Sequence, residues 1–175
     1  MSVILGGKEY GIRSDYRAAL DICAALGDEE LNGQEKTAAA LAIFYPEDIP
    51  PEYQQEAVER CFWFLNCGEE PEQRPGPRLV DWEQDFQYIC GPVNRVLGKE
   101  VRSVDYMHWW TFLAAYMEIG DCTFAQIVGV RDKLARGKSL DKQEREFYRR
   151  NRKQVDFKRK YTGAEEALLK EWGGA

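Results

Sequence analysis

The chain has 175 residues, 44% apolar, 31% charged and 13% aromatic, with a formal net charge of −6. This is the profile of a soluble globular protein and excludes a disordered or collagenous chain. At this length about two thirds of the unfolded surface can be buried, so neither disulfides nor a metal is needed as a staple.

The opening "VILGGKEYGI" predicts a β-hairpin, with strands near Ser2–Leu5 and Lys8–Ile12 around a Gly6-Gly7 turn. "SDYRAALDICAALGD" predicts a helix capped by Ser14 or Asp15, with a stripe of Leu20, Cys23 (with Ile22) and Leu26, ending at Gly27. A second helix is expected from Gln34 to the residues before Pro46. A third follows the prolines of "PPEYQQEAVERCFWFLNCG", with Val58, Cys61, Phe62 and Leu65 on one face and Gly68 as its stop. "EEPEQRPGPRL", with three prolines and no periodicity, reads as a linker.

Beyond it, "VDWEQDFQYICGPVNRVLGKE" predicts a helix with Asp81 and Gln84 at capping-box spacing and a kink at Gly91-Pro92. "SVDYMHWWTFLAAYMEIG" and "TFAQIVGVRDKLARG" predict two more helices, the first from Val104 to Ile119. A strongly charged helix from Asp141 to Lys160 is the last. The fold expected is mainly α, an N-terminal β-hairpin followed by a bundle of six to seven helices. The divisions are 1–68, a linker at 69–79, a helical part at 80–160 and a tail at 161–175; whether the two parts form one domain is left open.

Charge is unevenly spread. Residues 1–77 carry 6 Lys and Arg against 15 Asp and Glu, a net of −9, whereas residues 131–160 carry 13 against 5, a net of +8. That asymmetry points to a contact.

The residue types with chemical capacity are few. His108, the single histidine, falls inside "DYMHWWTFLAAYM", where no Ser, Cys or carboxylate has the spacing of a triad. It reads as a core residue together with Trp82, Trp109, Trp110 and Phe112. Asp81 and Asp85 could share a proton or a metal, yet acids in a first helical turn serve as cap and dipole partners. Cys23, Cys61, Cys67, Cys90 and Cys122 form no CxxC pair and read as buried thiols. No phosphate-binding glycine loop, HExxH or GxSxG motif occurs. No catalytic, cofactor-binding or metal-binding residue is therefore assigned, and no enzyme is expected.

The basic segment remains. Arg149, Arg150, Arg152, Lys153, Lys158, Arg159 and Lys160 interleave with Phe147, Tyr148, Phe157 and Tyr161. This composition suits a solvated helix, an acidic protein surface on a neighbouring subunit or client, or a nucleic acid. An acidic chain whose basic residues wrap the helix argues against nucleic acid. No apolar run is long enough to span a bilayer and the N-terminus lacks a signal pattern, so no membrane contact and a cytosolic location are expected.

"DWEQDFQYI", then "MHWWTFLAAY", then "TFAQIVGVRDKLARGK" and a Lys/Arg-rich helix resemble the gene-product-fifteen family of tailed-phage and prophage proteins. The opening "ILGGKEYGIRSDYRAAL" is similar as well, so the resemblance covers roughly residues 1–160. It implies a tail assembly chaperone of the bacterial host cytoplasm, absent from the finished virion. Its partners would be the tape measure protein and the tail tube protein, with possible self-association. The alternatives are a minor structural protein of the virion, or a nucleic-acid binder acting through the basic helix 141–160.

Overall fold

The computed structural model describes residues 1–69 and 76–158. Most of the Pro-rich linker, Arg159, Lys160, Tyr161 and the tail at 161–175 lie outside the described residues.

The fold is mainly α with an N-terminal hairpin. Strands β1 (Ser2–Leu5) and β2 (Lys8–Gly11) pair antiparallel with Leu5 opposite Lys8. The turn between them places Gly6 and Gly7 at φ 53° and 80°, the left-handed pair that a two-residue hairpin requires. A side chain at Gly6 would also run into the Tyr53 ring.

Helix α1 (Tyr16–Leu26) is capped by Asp15 rather than Ser14, and α2 (Gly33–Phe44) opens on a capping box between Asn32 and Glu35. Pro51–Tyr53 forms a 3₁₀ turn leading into α3 (Gln54–Leu65). Helix α4 (Trp82–Leu97) runs on through Pro92 to a left-handed Gly98. Then come α5 (Trp109–Met117), α6 (Thr123–Ala135), α7 (Lys142–Arg150) and α8 (Arg152–Val155). None of the described helices is long and apolar enough to cross a membrane.

Two expectations are corrected. The helix expected from Val104 begins only at Trp109, so His108 is its cap and not an interior residue. The chain before it is held extended by α1: Asp15 bridges to His108, Tyr16 N donates to Met107 O at 2.8 Å, and Met107 N donates to Asp15 Oδ2 at 2.9 Å. Tertiary hydrogen bonds override the local helical pattern. The single basic helix is likewise broken at Asn151, whose side-chain amide donates to Phe147 O at 3.0 Å; this splits it into α7 and α8.

One large core combines the hairpin (Val3, Leu5), α1 (Tyr16, Ala19, Ile22), Phe44, Phe64, α4 (Ile89, Val93) and α5 (Trp109, Phe112). It draws on residues from both sides of the Pro-rich stretch. A second, small core of Ile127, Val130, Leu140 and Val155 joins α6 to α8, with Tyr88, Phe147 and Tyr148 packed around it.

Candidate partner-binding surfaces

The first turn of α4 and one arginine of α6 together fix the C-terminal segment. Arg131 is 4% exposed and Asp85 is fully buried; their two-point ion pair spans 2.6 and 3.0 Å. The other Arg131 donors go to carbonyl oxygens of Val155 (2.7 Å), Gln154 (2.8 Å) and Leu79 (2.9 Å). A buried guanidinium is tolerable because every donor is used.

Gln84 adds a second clamp. Its Nε2 donates to Asp156 O at 3.0 Å and its Oε1 accepts from Lys158 N at 2.8 Å. Gln84 is thus not the reciprocal half of a capping box; Asp85 Oδ2 accepts from the Asp81 amide instead. Sequence reading held Arg131 only as the end of the family motif "IVGVR" and gave it no structural role. The available signal was its place beside Ile127 and Val130 on an apolar helix face, where a cation demands an acid.

This lock presents the basic residues. Arg149, Arg150, Arg152, Lys153 and Lys158 line one open groove of about 660 Å³, with Gln154, Asp156 and Phe157. Arg150 pairs with Glu146 and Arg152 with Asp156, both at the exposed surface. Arg149, Lys153 and Lys158 have no ion pair among the described residues. The break at Asn151 turns residues that would wrap a straight helix into the lining of a concavity. Arg159 lies outside the described residues.

A second groove, of about 460 Å³, runs between α1 and α4. Tyr16, Leu20, Ala24 and Phe86 form its apolar lining, with Arg17, Asp21, Glu83 and Arg102 at its rim. Tyr16 and Phe86 stack at 6.4 Å, and Arg17 is held by Asp15 and the Val104 carbonyl.

Trp109 and Phe112 are buried; Trp82, Trp110 and His108 are half-buried. Trp109 Nε1 donates to Leu65 O at 3.0 Å and Trp110 Nε1 to Phe64 O at 2.8 Å, which ties α5 to the end of α3. His108 Nδ1 accepts from Trp110 N at 3.2 Å, and its pKa is lowered, first by burial and then by the N-terminal ammonium. Burial pushes the Cys61 thiol up to about 12 and Cys23 to about 11, so neither is a thiolate near neutral pH.

Residues 1–157 match the family described as Bacteriophage Gp15 protein. Comparison with curated proteins and with solved structures gave no match. The motif residues account for the lock: "DWEQD" supplies Asp81, Gln84 and Asp85, and "IVGVR" supplies Arg131. With nearly its whole described length matched, the chain belongs to the bacteriophage Gp15 family.

Proposed function

We propose that this phage protein is a tail assembly chaperone. It is non-catalytic, acts in the host cytoplasm, holds the tape measure protein in soluble form and assists tail-tube assembly around it. The observation that carries this reading is the groove between α1 and α4. Its aromatic and aliphatic lining suits the apolar ridge of an amphipathic helix, and rim charges of both signs suit the polar flanks of that helix. Its volume falls in the range of built binding sites, roughly 300–1,000 Å³. A tape measure protein, a long helical chain without its tube, offers such ridges.

Co-expression with the tape measure protein, followed by size exclusion with light scattering, tests this. The expected result is a soluble complex of several copies on one tape measure. Ala24→Trp fills the groove without removing a core side chain, and it should abolish the complex while leaving the melting temperature of the free protein near that of the parent. A tape measure that stays insoluble, or an Ala24→Trp variant that carries it undiminished, would sink the reading. Recovery of the protein from purified virions would favour a structural component instead.

A further inference from the structure

We infer that the basic groove of one copy receives, from a second copy, the exposed acidic stripe of the α2–α3 connection and α3 (Glu47, Asp48, Glu52 and Glu59), so that the protein associates head to tail through charge.

The groove brings five cations together, and its own acids neutralise only two of them: Glu146 serves Arg150 and Asp156 serves Arg152. The acids of residues 1–77, in a region of net −9, are not used for this purpose among the described residues. Among them, Glu47, Asp48 and Glu52 are exposed at the α2–α3 connection and lead into α3. Glu52, in the 3₁₀ turn before α3, and Glu59, on α3, are exposed and extend this acidic stripe, whereas Glu56 between them is half-buried and accepts from Gly6 N at 2.9 Å. Helix α3 packs on α2 and β1, whereas α8 packs on α6 and α7; the two charged surfaces therefore belong to different cores.

The geometry of charge selects the mode of association. Groove against groove, or stripe against stripe, sets like charges face to face and is repulsive. Groove against stripe is attractive, and it leaves each copy with one free groove and one free stripe. Such a heterologous contact propagates into a ring or an open chain instead of stopping at a dimer. Self-association of this kind would let copies line up along an elongated client, yet it is measurable with no client present. Its failure is therefore distinct from failure of the chaperone reading.

The test is sedimentation velocity of the full chain over a range of concentrations. Salt is raised from about 0.1 M, where the Debye length is about 10 Å, to about 1 M, where it is about 3 Å. The average mass should grow with concentration at low salt and fall to that of one chain at high salt. Arg149→Glu/Lys153→Glu reverses two exposed cations that hold no ion pair among the described residues. Glu52→Lys/Glu59→Lys reverses two exposed acids of the stripe. Each pair alone should weaken association at least tenfold. Mixed as equals, the two variants set a reversed groove against a reversed stripe and an intact groove against an intact stripe; both contacts are attractive, so growth should resume with the two variants alternating. All four substitutions in one chain should restore association, which also guards against misfolding as the cause of loss.

A parent chain that stays single at low salt up to high concentration would overturn the proposal. So would groove reversal that leaves the mass unchanged, or stripe reversal that does so. If groove reversal instead abolishes a steeply salt-dependent affinity for a mixed-sequence single-stranded DNA, with no self-association in the parent, the groove is a nucleic-acid site and the proposal fails.

Discussion

His108 caps α5 with a nitrogen that must be free of its proton. Nδ1 accepts from the Trp110 amide, so the protonated ring loses the cap, and burial and the N-terminal ammonium both lower its pKa below the ordinary 6.5. For a base with a depressed folded-state pKa, the unfolded chain takes up the proton first as pH falls. Stability is therefore lost as pH falls through 6.5 and levels off below the folded-state value. His108→Asn keeps a capping oxygen and has no titrating group, whereas His108→Ala loses the cap at a cost of about 1 kcal/mol. Melting temperatures across this range should show the parent losing stability relative to His108→Asn as the solution is acidified. A constant difference between the two proteins would mean that the cap does not titrate. Trp109 and Trp110 then carry the same residues into tertiary structure, each indole donating to a carbonyl at the end of α3.

Among the elements, α8 is the one least able to stand alone. It has four residues and one buried side chain, Val155, and is fixed by hydrogen bonds from Arg131 on α6 and Gln84 on α4. Removing one partner of the ion pair beneath it leaves an unpaired buried charge. Arg131→Met should accordingly cost about 3–5 kcal/mol in urea unfolding, while Arg131→Met/Asp85→Leu should cost much less than the sum of the single changes. Additive losses would show that the pair is not the unit of stability. The elements that sequence made legible are those with local causes: the Gly6-Gly7 turn, the Asp15 and Asp81 caps, and the stops at Gly27 and Gly68. What was not legible depends on distant partners. Residues 104–107 have a helical pattern but form no helix, because Val104 and Met107 bond to Arg17, Asp15 and Tyr16, and the last basic helix breaks at Asn151, ahead of the Gln154 and Val155 carbonyls that Arg131 holds. The groove cations were identifiable by type and spacing, but their convergence on one concavity follows from that break. The α1–α4 groove joins residues more than sixty positions apart and has no local signature.

At the scale of the molecule, the two cores are unequal. The larger gathers buried side chains from the hairpin through the start of α6, whereas the smaller rests on Ile127, Val130, Leu140 and Val155. Helix α7 contributes no buried residue, only the half-buried Phe147 and Tyr148 against the small core. Burial of apolar surface is the main favourable term in folding, so a region with little of it opens at lower free energy than the whole. The buried lock then sets how much lower. Amide hydrogen exchange followed by mass spectrometry should find residues 142–156 exchanging through a partial opening while α1 and α5 exchange only on global unfolding. In Arg131→Met, protection in 142–156 should fall by orders of magnitude as the small core loses its anchor, with a far smaller change, the global loss alone, in α1. Equal protection across both regions in the parent would mean that the two cores unfold as one cooperative unit. The basic groove would then be as rigid as the helices beneath the hairpin, and its shape would be fixed before any partner arrives.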